Sequence, residues 1–155
     1  MHGDLQALGT AVKQAQYQQH RALDSALSAA GTTLAQWDAL RAIGRSPGES
    51  ARALAAATFQ SEQAFGTLVG RLTAQGLVQR RPGHGRRIEH HLTPAGEQIL
   101  AAGHKIADEV LAACFSALSD ADRAALLAML QRLTGKDDPQ PGPASTPHTS
   151  AAFPG

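Results

Sequence analysis

The chain has 155 residues, which suits one domain of ordinary size with one hydrophobic core. Aromatic residues make up only 4% of it, and the abundance of alanine and leucine favours helices packed through small aliphatic side chains. The sequence shows neither a signal pattern nor an apolar run long enough to cross a bilayer, so we expect a cytoplasmic protein.

The formal net charge of +1 conceals a strongly basic segment. Residues 41–87 contain eight arginines and two acids, a formal charge of +6, whereas the rest of the chain carries −5. A basic segment with few acids is typical of a surface that binds nucleic acid. The alternative, a solvated arginine-rich face, weakens because the charges fall on a particular motif.

Two helices are predicted at the N-terminus. Apolar residues recur at spacings of three, four and seven over residues 5–30, which predicts a long amphipathic helix ending near Gly31. Thr33 and Gln36 then form a capping-box pattern. We expect a second helix that ends before Pro47, with Trp37, Leu40 and Ile43 on its apolar face.

The next segment has the pattern of a helix-turn-helix. Ser50 begins a short helix to about Ala57, residues 58–60 form a turn, and a further helix runs from about Ser61 to Gln75. The apolar face of this last helix is formed by Phe65, Leu68, Val69 and Leu72.

A hairpin and two helices complete the predicted fold. Residues 77–81 and 88–92 have the pattern of two strands, and residues 82–85 form the tip between them, which predicts a charged β wing. Thr93-Pro94 opens a helix to about Ala117, with Leu118 continuing its apolar stripe, and Ser119 opens a leucine-rich last helix. We therefore expect a mainly α fold with a small two-stranded wing and a winged helix-turn-helix core.

Three short motifs in this order resemble the MarR family of bacterial transcriptional regulators. They are Gln-Trp-Asp-Ala-Leu at 36–40, Arg-Leu-Thr-Ala-Gln-Gly-Leu-Val at 71–78 and Leu-Thr-Pro-Ala-Gly at 92–96. The resemblance covers roughly residues 5–134. It implies a winged-helix homodimer that binds a palindromic operator and responds to a small ligand.

The expected organisation follows from this resemblance. Residues 1–134 form the regulator, with a DNA-binding lobe at about 33–93 and dimerisation helices at about 1–31 and 94–134. A disordered, proline-rich tail is expected at 135–155.

The wing departs from the family pattern at one position. The family wing usually contains Asp-x-Arg seven residues before the threonine that opens the next helix. Here Arg86 stands at the arginine position, His84 replaces the aspartate that helps to hold the wing, and the tip is about two residues shorter than usual.

The exposed face of the predicted recognition helix suits the major groove. Gln63 can bond an adenine edge, and Thr67 can touch a thymine methyl or donate a hydrogen bond. Ser61 can offer backbone N–H groups to a phosphate, although capping alone would explain it. Gly66 and Gly70 indicate either close approach to DNA or a tight helix–helix contact, and the sequence leaves both open.

The arginines supply further candidate contacts. Arg86 or Arg87 on the wing suits the minor groove, whose negative potential attracts a guanidinium. The remaining candidate DNA contacts, most of them for phosphate, are Arg52, Arg71, Arg80 and Arg81.

An effector crevice is the second candidate site. Ligands of the family often lie between the dimerisation helices and the DNA-binding lobe. An aromatic carboxylate or phenolate would suit the side chains expected there, which are Tyr17, His20, Arg21, Trp37 and Arg41. The alternative is that Trp37 belongs to the core and Arg21 is a surface charge.

Other chemistry is not expected. No nucleophile–base pair, carboxylate dyad or phosphate-binding loop predicts an enzyme, and no cofactor or metal is predicted. The neighbours His90 and His91 point to opposite faces of a strand, and Cys114, the single cysteine, is expected to be buried and inert. The sequence predicts a repressor, the alternative being an architectural or protein-interaction winged-helix module without its own operator.

Overall fold

The computed structural model describes residues 2–136. Its bounds are α1 His2–Ala29, α2 Leu34–Arg45, α3 Ala51–Ala57, α4 Glu62–Ala74, β1 Val78–Pro82, β2 Ile88–Leu92, α5 Pro94–Cys114 and α6 Asp120–Thr134. The chain divides into two compact units, one ending at Ser116 and one beginning at Ala117. The mainly α fold with a two-stranded wing is confirmed, whereas the expected tail disorder falls almost entirely outside the described residues.

Side-chain caps define where the helices begin. Gln36 N–H donates to Thr33 Oγ1 at 3.1 Å, and Thr33 N–H donates to Gln36 Oε1 at 3.2 Å, which confirms the capping box. Ser50 and Ser61 cap α3 and α4 by accepting from Ala53 N–H and Ala64 N–H. Thr93 caps α5 and also donates to Gly76 O at 2.6 Å, so it joins the end of the wing to the end of the recognition helix.

Two hydrophobic clusters hold the first unit together. The first lies among α2, α3, α4 and β1 and contains the fully buried Leu40, Ile43 and Phe65. The second joins α1, α2 and α5 through Leu23, Leu27, Leu34, Trp37 and Ala107. Because α5 also contacts β2, it packs against the wing as well as against α1.

Two glycines allow α5 to approach its neighbours closely. A Cβ on Gly96 would collide with the backbone oxygen of Leu77 at the start of the wing. A Cβ on Gly103 would collide with the indole of Trp37, whose Cγ would lie 3.2 Å away. Glycine is therefore required at both points by packing.

The hairpin pairs antiparallel, from Val78 opposite Leu92 to Pro82 opposite Ile88. Pro82, predicted in the tip, belongs to β1 instead, because a proline is tolerated at the end of a strand in a two-stranded sheet. The turn closes beyond it, where Gly83 N–H donates to Arg87 O at 2.8 Å and Gly85 adopts a φ of +64°.

The predicted end of α5 needs correction. Helix α5 ends at Cys114, so Leu118 lies outside it. Just beyond this end, the Ser116 hydroxyl donates to Ala113 O at 2.9 Å. Helix α1 buries Leu23 and Leu27, because only its C-terminal half packs against α2 and α5. Leu5 remains 69% exposed within the single chain.

Cys114 is exposed, so the prediction of a buried thiol is wrong. It lies on the last turn of α5, beyond the part of the helix that packs on α1 and α2. None of the described helices is long and apolar enough to span a membrane.

The second unit contains α6. Ser119 accepts a hydrogen bond from Asp122 N–H, Arg123 donates to Leu118 O, and Gly135 ends the helix in the left-handed conformation. None of its helical residues is buried in the single chain, and its large exposed side chains are Leu127, Met129, Leu130 and Leu133.

Candidate nucleic-acid interface

The recognition helix α4 is divided into a buried and an exposed face. Phe65, Val69 and Leu72 have no exposed surface, because they fill the first core cluster. Gln63 and Thr67 lie one turn apart on the outward face and are exposed. This is the face predicted to meet DNA.

Local hydrogen bonds orient two of the predicted contacts. Thr67 Oγ1 donates to Gln63 O at 3.1 Å, and this bond engages the hydroxyl hydrogen with the helix backbone. Thr67 is therefore better suited to apolar contact through its methyl group than to donation. Ser61 Oγ accepts from Ala64 N–H at 3.1 Å, so its side chain caps the helix.

The structure bears on one of the two interpretations of the α4 glycines, the tight helix–helix contact. A Cβ on Gly66 would have no atom within 4 Å, and one on Gly70 would have only Arg80 Nη2, at 3.8 Å. Neither glycine lies in a tight helix–helix contact in the described chain. Because neither residue has a side chain, the backbone of α4 is uncovered at these two positions.

Most of the arginines in residues 41–87 face solvent without a carboxylate partner. Within residues 2–136, only Arg41 and Arg87 of these eight form ion pairs with acids. Charges without acidic partners are available to bind phosphate. The other six, all exposed, are Arg45, Arg52, Arg71, Arg80, Arg81 and Arg86.

The two adjacent arginines of β1 are differently placed. Arg80 extends over Gly70, so its guanidinium lies beside the recognition helix. Arg81 donates from Nη2 and Nε to Gln79 Oε1 at 3.0 and 3.2 Å, which orients its side chain along the wing.

The two arginines at the tip have different surroundings. Arg86 is exposed. Arg87 donates to Gly48 O at 3.1 Å and lies 3.4 Å from Glu49 Oε2. Only Arg86 therefore keeps the free guanidinium predicted for groove binding.

A cavity of about 420 Å³ lies among α1, α2, α5 and the α3–α4 turn. It brings together three of the five predicted effector contacts, His20, Trp37 and Arg41. Tyr17 and Arg21 do not line it; the Arg21 guanidinium lies 5.8 Å from the Tyr17 ring centroid on the exposed side of α1.

Trp37 is both a core residue and part of the cavity wall. It is 3% exposed, and the Arg41 guanidinium stacks 4.4 Å from its ring centroid. The His104 ring meets it edge-on at 5.5 Å. The core interpretation of Trp37 is thus correct, and the same side chain also lines the cavity.

The cavity also contains an acid that the sequence analysis missed. Asp38 lines it and lies 3.4 Å from Arg41 Nη1. Burial raises the pKa of Asp38 above its usual value, and the charges of Arg41, His20 and Arg45 oppose that rise only in part. Its helical spacing from Arg41 was the available signal.

Phe59 was missed as well. The turn at residues 58–60 was predicted, but nothing in its sequence indicated an aromatic side chain that is 92% exposed at the cavity edge, on a backbone with a φ of +57°.

In the described part of the chain, no group of three or more histidine, cysteine, aspartate or glutamate residues could hold a metal ion.

Comparison with known proteins identifies the fold and the family. The sequence profile of the MarR family matches residues 30–88. A protein of Thauera aromatica, named as a transcriptional regulatory protein for the hcr operon, is 36% identical over 116 residues, which cover 72% of this chain and 68% of that protein.

Solved structures of similar proteins agree with this family assignment. A protein of Pseudomonas aeruginosa named as a transcriptional regulator is 29% identical with a TM-score of 0.71, covering 81% of this chain and 95% of that one. A MarR family protein of Mycobacterium tuberculosis in complex with salicylic acid is 26% identical, with a TM-score of 0.69 and the same coverage. The chain therefore belongs to the MarR family of transcriptional regulators.

Proposed function

We propose that this chain is a homodimeric, sequence-specific DNA-binding protein of the cytoplasm, without catalytic activity, that represses nearby genes. The observation that supports this most is the outward face of α4, where Gln63 and Thr67 are exposed beside arginines that have no acidic partner. Residues 33–93 form the DNA-binding lobe.

Each contact has a chemical role in this proposal. Helix α4 enters the major groove, where Gln63 bonds an adenine edge and Thr67 contacts a thymine methyl. Arg86 enters the flanking minor groove. Backbone phosphates are bound by Arg52, Arg71, Arg80 and Arg81, with the Ser61 end of α4 as a further phosphate contact.

Base-specific and phosphate contacts can be separated by substitution. An operator is first selected from the DNA beside the gene, and affinities are measured on it and on random DNA. Gln63→Ala should cost about 1–3 kcal/mol on the operator and little on random DNA. Arg81→Ala should weaken both alike and lower the salt-dependence slope by about one.

The affinity of the unsubstituted protein for operator and for random DNA distinguishes the proposal from the main alternative. An architectural or protein-interaction module would bind operator and random DNA with equal, weak affinity. That result would overturn the proposal.

We further propose that a small aromatic acid is the effector. A ligand carboxylate would pair with Arg41 and His20, which line the cavity, and a phenolic hydroxyl would meet Asp38. The salicylic acid complex of the M. tuberculosis relative supports this ligand class. A cavity of about 420 Å³ is large enough for one such molecule.

Fluorescence of Trp37, the only tryptophan, tests the effector. Salicylate should quench it saturably, and salicylate and operator should weaken each other's binding by the same factor. Arg41→Met should weaken salicylate about tenfold or more, as expected for a lost charge-assisted pair, whereas Arg21→Ala, outside the cavity, should not. Saturable quenching with unchanged operator affinity would refute the coupling.

A further inference from the structure

The wing of this chain is attached to the rest of the lobe on its outer edge. His90 in β2 donates its N–H to Glu49 O at 3.2 Å and accepts from Gly48 N–H at 2.9 Å. Residues 48–49 therefore pair with β2 on the side away from β1. This pairing satisfies edge groups that a two-stranded hairpin would leave open.

Side chains reinforce the same contact. The buried His90 ring places Nδ1 2.9 Å from Glu49 O. Arg87 donates to Gly48 O at 3.1 Å and pairs with Glu49 Oε2 at 3.4 Å. One guanidinium thus bridges the tip of the wing to a backbone carbonyl and a carboxylate of the α2–α3 segment.

Gly48 is required for this arrangement. Its φ of +85° disfavours any other residue, and a Cβ there would lie 2.9 Å from Glu89 Oε1 and 3.6 Å from His91 Cε1. The left-handed backbone at Gly48, which other residues rarely adopt, lets the segment at 48–49 lie against β2.

We propose that Arg87 is a positioning residue that fixes the wing through Gly48 and Glu49, and that it does not itself bind DNA. This attachment holds the wing in place of the aspartate whose position at the tip is occupied here by His84. It leaves Arg86, the adjacent residue, to enter the groove. The consequence for DNA affinity rests on the proposed DNA-binding function, whereas the attachment itself does not.

Salt dependence distinguishes the roles of the two neighbouring arginines. Arg86→Ala should weaken operator binding and reduce the slope of log affinity against log salt by about one, because a phosphate-region charge is lost. Arg87→Ala should weaken operator binding about three- to tenfold, the effect of about one hydrogen bond, with the slope unchanged. Arg87→Lys keeps the charge but replaces the planar guanidinium, whose Nη2 makes both contacts, with an ammonium on a shorter side chain, so it should also weaken binding with the slope unchanged.

Hydrogen exchange in the free protein tests the attachment without DNA. The His90 amide should exchange about three- to tenfold faster in Arg87→Ala and in Glu49→Ala, and no faster still in the double variant. Arg86→Ala is the matched control and should leave this amide unchanged.

Three outcomes would overturn the proposal. One is a slope for Arg87→Ala reduced as much as that for Arg86→Ala, another is normal His90 exchange in Arg87→Ala, and the third is normal operator affinity in that variant despite faster exchange. If the parent protein failed to prefer an operator, the DNA-binding proposal would fall, and the exchange experiment would still decide whether Arg87 holds the wing.

Discussion

At the scale of single residues, Trp37 combines a place in the hydrophobic core with a place in the cavity wall. One edge of its indole lies against Gly103 of α5, and Arg41 covers its face at 4.4 Å. Trp37 could be assigned to α2 from sequence, but its glycine partner, 66 residues further along the chain, could not. Helical spacing predicts which residues share a face, and it does not predict which residues of another helix that face meets.

Gly103→Ala should destabilise the protein by about 1–3 kcal/mol, because the added methyl group collides with the buried indole of Trp37. Urea denaturation at fixed protein concentration measures this. Unchanged stability would mean that α5 can shift freely away from Trp37.

Asp38 should make stability depend on pH. The pKa of Asp38 is raised in the folded protein, so folding favours the protonated carboxyl. The stability that this contributes is lost as the pH rises above about 4, the ordinary pKa of an aspartate. Asp38→Asn lacks this loss. The variant's free energy of unfolding, relative to the parent, should therefore be higher at pH 7 than at about pH 3.5.

Urea titrations at the two pH values measure this difference, and Asp108→Asn, at an exposed acid on α5, controls for loss of a charge. A relative stability that is lower at pH 7 than at about pH 3.5 would contradict the assigned direction.

At the scale of elements, the helix starts were the most predictable part of the fold. Thr33, Ser50, Ser61, Thr93 and Ser119 all cap helices as predicted, because a cap depends on residues only three positions apart.

What depends on distant residues was predicted less well. The end of α5 was placed too late, and the attachment of Arg87 to Gly48 and Glu49 was missed, because those residues are 39 and 38 positions away. Three of the five predicted effector contacts line the cavity, whereas Tyr17 and Arg21, close to His20 in sequence, lie on the exposed side of α1.

Helix α4 offers a direct test of close approach to DNA. Gly66→Ala should stabilise the protein by up to about 1 kcal/mol, because the new methyl group meets no atom within 4 Å and alanine favours a helix. The same methyl group should weaken operator binding if the backbone of α4 lies against the groove. Thermal unfolding and operator titration of one variant give both values, and normal operator affinity would contradict the close approach.

At the scale of the whole molecule, exposed apolar side chains predict a second copy. Leu5, Leu8 and Val12 on α1 are 69%, 57% and 46% exposed, and Leu133 on α6 is 75% exposed. A C₂ homodimer would cover such faces and present two recognition helices about one DNA turn apart, so the operator should be an inverted repeat with half-sites roughly 10 bp apart.

Light scattering at micromolar concentration should give about twice the 16.1 kDa mass of one chain. Leu5→Glu combined with Leu133→Glu should shift the protein towards monomer, because each places a charge on an apolar face. Ala53→Glu, on the exposed side of α3, should not. Removal of residues 137–155 should leave the dimer intact, and a monomeric parent would refute the assembly.

The two glycines of α5 have a mechanical consequence. Gly96 touches the start of the wing and Gly103 touches the cavity wall, and the seven residues between them span about 10 Å of one helix. Neither contact leaves space for a Cβ, so we expect a displacement of Trp37 towards α5 to push directly on that helix. Because α5 is continuous from Gly96 to Gly103, we expect it to pass such a displacement on to the start of the wing.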